Sequence, residues 1–173
     1  PEEAVGLSEL MVNTGKKLNK SITAVVTSME EPLGRAVGNS IEAIESIEFL
    51  KGKTEGDLTD LTYEFGAIAL IQVGKFEDTE EAKEYLKSVI NSGEALNKFR
   101  ELILAQGGNS KVIDDYSEFV QAKYKVKIKS SQEGFIQKID AYKIAYACKI
   151  LGAGREKKTD NIDYSVGIYL DKK

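Results

Sequence analysis

Residues 24–50, AVVTSMEEPLGRAVGNSIEAIESIEFL, form the stretch that decides the fold. A β-branched run over residues 22–26 leads into a loop that contains Gly34 and Gly38. The loop opens directly into a segment rich in isoleucine and glutamate, which is typical of an amphipathic helix. A strand, a glycine loop and a helix start, in this order, are the usual parts of an anion or ion site in an α/β protein. The stretch therefore predicts α/β architecture with an ion site at the loop.

The flanking residues predict the elements on either side of this loop. An amphipathic helix that ends near Gly15, followed by a buried strand over residues 21–27, is half of a βαβ unit. Capping patterns then predict four helices, namely Asn39 to about Leu50, Asp57 to about Val73, Asp78 to about Asn91, and Ser92 or Gly93 to Gly107. Residues 65–73 are apolar on most sides, which predicts a core helix.

The hydrophobic period changes from about residue 123 onward. Alternation over residues 123–129 and 134–139 predicts two strands, and alternation returns over residues 162–170. Asp140 is the predicted N-cap of a helix over residues 141–151, which Gly152 ends.

The predicted fold class is an α+β or α/β fragment. It consists of the helix–strand part of a larger α/β domain, then several helices, then a small C-terminal α+β module. The predicted boundaries are residues 1–108 for the mostly helical C-terminal part of the α/β domain, 109–122 for a linker, and 123–173 for the C-terminal module, which is truncated.

Composition restricts the function classes. The chain has 42% hydrophobic and 30% charged residues and a net charge of −4 with interspersed signs, so a general nucleic-acid partner is not expected. No apolar run is long enough to span a bilayer, so no membrane partner is expected. Histidine is absent, which removes the commonest general base and zinc ligand. The single cysteine, Cys148, lies in an apolar helix pattern, which predicts a buried small side chain and a reducing, cytoplasmic location.

The glycine loop and the following helix suggest a cation site. Backbone carbonyls of Leu33 and Ala36, together with one of Glu42, Glu45 and Glu48, would give the oxygen ligands that hard cations prefer. The competing interpretation is that the glutamates form a solvated helix face and that the glycines only shape a turn. Spacing alone leaves both interpretations open.

Three further patterns favour structural roles. The GAGR element at residues 152–155 lies at a helix C-terminus, which favours helix termination over an anion nest. Four lysines at alternating positions over residues 123–129 favour a solvated sheet face. The pairs Asp114–Asp115 and Asp160–Asp163 lie near turn signals, which favours capping roles.

The phrases PLGRAVGN, FRELILAQGG, VIDD, LGAGR and IDYSVG resemble the pyrimidine-nucleoside and thymidine phosphorylases, and they occur in the order of that family. The resemblance covers essentially the whole chain but only the C-terminal part of such an enzyme. It implies a structural potassium ion held by the carbonyls of Leu33 and Ala36 and the carboxylate of Glu45. The remaining ligands of that ion would come from an upstream loop, so the site in this chain would be incomplete.

The resemblance also implies the reaction. Such enzymes cleave the N-glycosidic bond of thymidine, uridine or deoxyuridine with inorganic phosphate as co-substrate, and release the base and (2-deoxy)ribose 1-phosphate. The phosphate- and base-binding residues would lie upstream, so no catalytic residue is assigned here and the chain alone is expected to be inactive. The parent enzyme would be a homodimer, while the state of this piece, truncated at both ends, stays open.

Two alternatives remain. One is a fragment of an anthranilate-type phosphoribosyltransferase, which shares the fold, although the LGAGR and IDYSVG phrases favour the phosphorylases. The other is a non-catalytic binding module over residues 110–173, which a basic groove with exposed aromatic residues would support. The preference between thymidine and uridine cannot be derived, because base recognition would lie upstream.

Overall fold

The protein is described by a computed structural model over residues 2–171. Within this range the α-helices are α1 (Glu2–Lys17), α2 (Asn39–Leu50), α3 (Asp57–Gln72), α4 (Thr79–Asn91), α5 (Glu94–Ala105) and α6 (Ala141–Cys148). A π-helical turn (Lys149–Ala153) extends α6, and two 3-10 turns lie at Ser110–Ile113 and Tyr116–Glu118. The two strands are β1 (Ala36–Val37) and β2 (Ile168–Tyr169). About half of the chain is helical and the sheet is small, which confirms the predicted α+β class.

The capping patterns identified the helices correctly. Asp78 is the N-cap of α4 and its side chain accepts hydrogen bonds from the N–H groups of Glu80 and Glu81. Asp140 caps α6 in the same way, through the N–H of Lys143. The predicted N-caps of α2 and α3 were each wrong by one residue, because Gly38 and Gly56 occupy those positions and Asn39 and Asp57 are the first helical residues.

Strands β1 and β2 pair antiparallel and join the glycine loop to the far end of the chain. Ala36 lies opposite Tyr169, and Val37 lies opposite Ile168. Of the predicted strand over residues 162–170, only these two residues of β2 are formed. This pairing is what brings the C-terminal module against the loop.

Three predicted strands are absent from the described structure. Residues 21–27, 123–129 and 134–139 lie outside strands and are mostly exposed; the Ile128 side chain is 96% exposed. A strand is stable only when a neighbouring strand satisfies its backbone groups and covers one face. Among residues 2–171, no neighbouring strand lies beside these segments. The prediction that the lysines of residues 123–129 lie on a solvated sheet face was therefore also wrong.

The hydrophobic core is small, and its buried side chains come from β1, α2, α3, α4, the first 3-10 turn and α6. Ile47 and Ile113 are its largest fully buried side chains, and it also contains Ala36, Ala67, Ala82, Ile90 and Cys148. Residues 65–73 were expected to form a core helix, but Phe65 is 45% and Val73 76% exposed. Only one side of α3 is covered, because α4 is the main element packed against it.

The predicted linker, residues 109–122, carries structure of its own. Ile113 is fully buried, and Tyr116 accepts a hydrogen bond at 2.8 Å from Lys51, the residue that follows α2. Arg100 of α5 forms two hydrogen bonds with the carboxylate of Asp114, at 2.9 and 3.0 Å. The domain boundaries themselves stay a prediction. Among the residues that the structure describes, no helix is both long and apolar enough to cross a membrane.

Candidate functional site

The glycine loop, residues 33–38, is built on two glycines in conformations that other residues rarely adopt. Gly34 has φ of 70° and Gly38 has φ of 145°. Both glycines are buried, as is Ala36 between them. The loop therefore has a fixed backbone shape that side chains at these two positions would disturb.

Glu45, on the second turn of α2, reaches back into the loop. Its Oε1 accepts the N–H of Arg35 at 2.8 Å, and its Oε2 accepts the N–H of Ala36 at 3.2 Å. A Cβ atom at Gly34 would lie 2.5 Å from Glu45 Oε2, a distance that real Cβ contacts essentially never show. Gly34 is therefore needed both for its φ and to make room for the carboxylate.

The strand register places the carbonyl of Ala36 on the same side as Glu45. The carbonyl of Arg35 accepts the N–H of Leu170 at 2.8 Å, so Arg35 faces β2. In an antiparallel pair, residues that exchange hydrogen bonds alternate with residues whose N–H and C=O point to the opposite edge. Ala36 lies opposite Tyr169, next to Arg35 whose carbonyl is bonded to β2, so Ala36 is of the second kind. We infer from this register that its carbonyl lies on the edge away from β2, where its N–H meets Glu45.

The donor set at this edge is suited to a cation. An ionised carboxylate offers about four lone-pair positions, and two of those on Glu45 receive N–H groups. The remaining positions and the Ala36 carbonyl are the oxygen ligands that a hard cation takes. The structure thus brings Ala36 and Glu45 together, while Leu33 lies at the start of the loop, next to Gly34. In residues 2–171, no three His, Cys, Asp or Glu side chains form a metal-binding group.

The other two glutamates of α2 have different partners. Glu42 Oε1 accepts the N–H of Gly38 at 2.8 Å and so caps the helix. Glu48 accepts the hydroxyl of Tyr116 and forms ion pairs with Lys51 and Lys53, each at 3.6 Å. The three glutamates therefore do not form one uniformly solvated helix face: Glu42 and Glu45 both accept N–H groups of the loop, and Glu48 is bonded to Tyr116.

The start of α2 is not arranged as an anion site. The N–H of Ser40 donates to the carbonyl of Tyr164 at 3.2 Å, and the N–H of Gly38 donates to Glu42. Two of the N–H groups that would hold an anion at a helix N-terminus are thus already bonded. The geometry of the loop favours a cation over the anion that the sequence pattern also allowed.

An acidic cleft of about 630 Å³ lies beside Leu33. Its carboxylate side chains come from the segment before the loop and from α3, and they are Glu30, Glu31, Asp57, Asp60 and Glu64. Asp57 Oδ1 also accepts the N–H of Gly34 at 3.3 Å. A surface with this charge attracts cations and repels anions, which agrees with the donor set of the loop.

The other candidate residues have structural roles. Asp115, Asp160 and Asp163 each accept backbone N–H groups within two to four residues, as expected for turns. Hydrogen bonds from Arg100 hold the pKa of Asp114 below its ordinary value. Cys148 is buried and its thiol donates to the carbonyl of Val37 at 3.2 Å; burial raises the pKa of this thiol.

Helix termination is also the role of the GAGR element. Gly152 has φ of 108° and lies at the end of the π-helical turn. Its carbonyl accepts the N–H of Asp163 at 2.9 Å, so the turn is tied to the residues that precede β2.

Two functional features were missed at the level of sequence. Gly167 packs its backbone against the glycine loop, and an isolated glycine inside an alternating apolar pattern is the signal for such a close approach. Tyr116 connects the 3-10 turns to α2 through Glu48 and Lys51, and no local pattern indicates this contact.

The chain matches the C-terminal portion of known nucleoside phosphorylases. The family model described as pyrimidine nucleoside phosphorylase C-terminal domain matches residues 135–173. A thymidine phosphorylase of Metamycoplasma hominis is 42% identical over 170 residues, which are 98% of this chain and 62% of the relative. A pyrimidine-nucleoside phosphorylase of Staphylococcus aureus (strain USA300) is 40% identical over 172 residues, which are 99% of this chain and 40% of the relative. The chain therefore spans less than two thirds of the length of either relative.

Proposed function

Because the chain is homologous to the C-terminal portion of the pyrimidine-nucleoside phosphorylases, we propose that it acts as part of an enzyme of this kind. The reaction is the reversible phosphorolysis of thymidine, uridine or deoxyuridine to the free base and (2-deoxy)ribose 1-phosphate. The observation that carries this proposal is the 40–42% identity over nearly the whole chain. The glycine loop with Glu45 supports it.

This chain would help to position the substrates, and it would not supply the groups that react. In phosphorolysis the sugar carbon becomes positively charged as the base departs, so the enzyme must place the phosphate and stabilise the leaving base. We assign no catalytic residue to the chain. Its contribution is the loop at residues 33–38, the helices that support the loop, and the C-terminal module behind it.

We further propose that the loop binds a potassium ion through Leu33, Ala36 and Glu45. Two features support this assignment: the Ala36 carbonyl lies on the same edge as Glu45, and some lone pairs of the Glu45 carboxylate accept no N–H group. When bound, the ion would supply a fixed positive charge that keeps the loop closed on Glu45. Further ligands would come from residues outside this chain.

The surroundings of the enzyme follow from the same relationship. We propose a homodimer that acts in the cytoplasm in the salvage of pyrimidine nucleosides, with nucleoside and phosphate as its small-molecule partners. The free, buried thiol of Cys148 is compatible with a reducing compartment.

The activity is tested with a joined enzyme, in which the N-terminal portion of the Staphylococcus aureus relative precedes this chain. We expect the joined enzyme to release thymine from thymidine and uracil from uridine only when phosphate is present. The chain alone should release neither base. The intact relative is the positive control.

The alternatives predict different results from the same protein. A joined enzyme that is folded and dimeric but releases no base with phosphate would contradict the proposal. Release of pyrophosphate from phosphoribosyl pyrophosphate and anthranilate would favour the phosphoribosyltransferase instead. The match of the phosphorylase C-terminal domain to residues 135–173 argues against that second outcome.

The cation assignment has its own test. We expect potassium to raise the midpoint of thermal unfolding of the joined enzyme more than sodium does at equal ionic strength, because a ligand of the folded state stabilises it. Glu45→Gln should abolish the difference between the two ions. A potassium effect that survives in Glu45→Gln would show that Glu45 is not a ligand.

A further inference from the structure

The C-terminal residues 166–171 contact the glycine loop on the edge opposite Glu45. The N–H of Leu170 donates to the carbonyl of Arg35 at 2.8 Å, and Arg35 Nη1 donates to the carbonyl of Asp171 at 3.0 Å. Arg35 and Asp171 are 136 residues apart in sequence. The loop is thus held between α2 on one edge and the C-terminal segment on the other.

Two glycines make this contact close. A Cβ atom at Gly167 would lie 2.6 Å from the carbonyl oxygen of Val37 and 3.1 Å from the Cα of Gly38. A Cβ atom at Gly38 would lie 2.5 Å from the carbonyl oxygen of Val166. Distances under 3.0 Å to backbone atoms cannot be relieved by rotating a side chain, so neither position accepts a side chain without moving one of the strands.

Gly167 and Gly38 require glycine for different reasons. The φ of Gly38 is positive, whereas the φ of Gly167 lies outside the left-handed region. An alanine at Gly167 therefore needs no left-handed backbone conformation, and its effect comes from the contacts of its Cβ with the loop and with Ile41 Cδ1, which would lie 2.7 Å away. This makes Gly167 a clean position at which to separate the C-terminal segment from the loop.

The register of β1 and β2 decides which carbonyl of the loop faces Glu45. With Ala36 opposite Tyr169, the carbonyl of Arg35 faces β2 and that of Ala36 faces Glu45. A shift of one residue in an antiparallel pair exchanges the two edges. The pairing with β2 therefore controls the direction of a predicted cation ligand that β2 does not touch.

We propose that residues 166–171 are a positioning segment for the cation loop, which fixes the Ala36 carbonyl toward Glu45 through the Gly38–Gly167 contact and the β1–β2 register. The proposal rests on the cation assignment made above for the same loop. The affinity of the loop for the cation then depends on residues 166–171, although this segment contains none of the predicted ligands. Gly167 and Arg35 are its positioning residues.

The test is an NMR titration of this chain with potassium chloride against sodium chloride at equal ionic strength. The amide signals of Arg35 and Ala36 report on the bonds to Glu45, and chemical shifts detect even weak binding at an incomplete site. In the unmodified chain we expect both signals to move with potassium and not with sodium. In Gly167→Ala we expect the apparent potassium affinity to fall about tenfold or more, the usual effect of removing a supporting contact of a metal site.

A matched variant separates positioning from loss of stability. Gly108→Ala is the same substitution at a crowded glycine away from the loop, where a Cβ would lie 2.9 Å from Ile103 Cγ2 and 3.2 Å from the Ile103 carbonyl oxygen. It should lower the unfolding temperature and leave the potassium titration unchanged. If Gly167→Ala does not fold, Arg35→Ala removes only the bond to Asp171 and should show a smaller loss in the same direction.

The outcomes distinguish the two proposals. If the unmodified chain and Gly167→Ala respond equally to potassium, the positioning role is refuted and the cation site stands. Where Gly167→Ala does not fold, the same comparison is made with Arg35→Ala. Equal losses in Gly167→Ala and Gly108→Ala would also refute it, since the effect would then follow stability alone. If the unmodified chain shows no response specific to potassium, the cation assignment fails and the positioning role fails with it. The phosphorolysis assay of the joined enzyme is independent of all three results.

Discussion

Glu45 is the residue on which the candidate site depends most. It closes the loop by accepting the N–H groups of Arg35 and Ala36, and the same carboxylate is the proposed anionic ligand. The identity of this glutamate could be predicted only from the resemblance to a family, because three glutamates share one spacing on α2. Its two hydrogen bonds to the loop could not be predicted, since they depend on how the chain turns back at Gly34.

We expect Glu45→Ala to destabilise the chain by about 1–2 kcal/mol, because two backbone N–H groups lose their acceptor and one of them is partly buried. Glu45→Gln should cost less, since its side-chain oxygen still accepts one of these bonds. Urea unfolding of the three proteins measures both differences. Equal stability of Glu45→Ala and the unmodified chain would contradict the loop-closing role.

The contact between Tyr116 and Glu48 is the second informative residue pair. Burial opposes ionisation of Glu48, but the hydrogen bond from Tyr116 and the charges of Lys53 and Lys51 outweigh it and hold the pKa of Glu48 below its ordinary value of 4.5. Burial and the bond to Glu48 raise the pKa of Tyr116. A carboxyl group with a lowered pKa in the folded state stabilises the fold above its ordinary pKa.

We expect Tyr116→Phe to cost about 1.5–3 kcal/mol near neutral pH, the usual range for a hydrogen bond to a charged group. The cost should shrink as the pH falls below 4.5 and Glu48 becomes protonated, because the bond then loses its charged acceptor. Tyr85→Phe is the control, since Tyr85 accepts a hydrogen bond from Lys75 at 2.8 Å. Urea unfolding from neutral pH down to below pH 4.5 should show the pH dependence for Tyr116→Phe alone. A cost that is the same at every pH would refute the charged hydrogen bond.

At the scale of elements, helices and strands differ in how far the sequence determines them. The helices follow local rules, and α4 and α6 begin at the aspartates that the capping pattern indicated. The strands depend on partners elsewhere in the chain. Residues 123–129 alternate like a strand but have no neighbour in the described structure, whereas Ile168 and Tyr169 form β2 because β1 lies beside them.

The cap of α4 provides a quantitative test at this scale. We expect Asp78→Ala to lower the stability by about 1 kcal/mol, because two N–H groups of the first turn lose their acceptor. Glu77→Ala, one residue before the helix cap, should be nearly neutral. Thermal or urea unfolding measures both, and a Glu77→Ala cost as large as that of Asp78→Ala would show that local charge, not capping, is responsible.

At the scale of the whole molecule, apolar side chains are exposed on the segments that were expected to be strands. They are Ile22, Val25, Val26, Met29, Tyr124, Val126, Ile128, Phe135 and Ile136. Large apolar side chains exposed in such number are typical of segments that contact another part of a protein. The chain spans 62% and 40% of the two relatives, and we expect the part of such an enzyme that lies outside the match to cover these side chains.

Hydrogen–deuterium exchange tests this expectation. The amides of residues 21–29 and 123–136 should exchange rapidly in this chain and at least about tenfold more slowly in the joined enzyme, where they gain strand partners and cover. Residues 79–91 of α4 are the internal control and should exchange at the same rate in both proteins. Rapid exchange of both segments in an active joined enzyme would show that they are surface loops.

The central claim is that the loop of residues 33–38 and Glu45 form a cation site of a phosphorylase. Anomalous diffraction from crystals of the joined enzyme grown with thallium or rubidium in place of potassium tests it most directly. We expect an anomalous peak within coordination distance of the carbonyl oxygens of Leu33 and Ala36 and of the Glu45 carboxylate. A peak elsewhere, or a Glu45 that binds only the amides of Arg35 and Ala36 with no ion beside it, would contradict the claim.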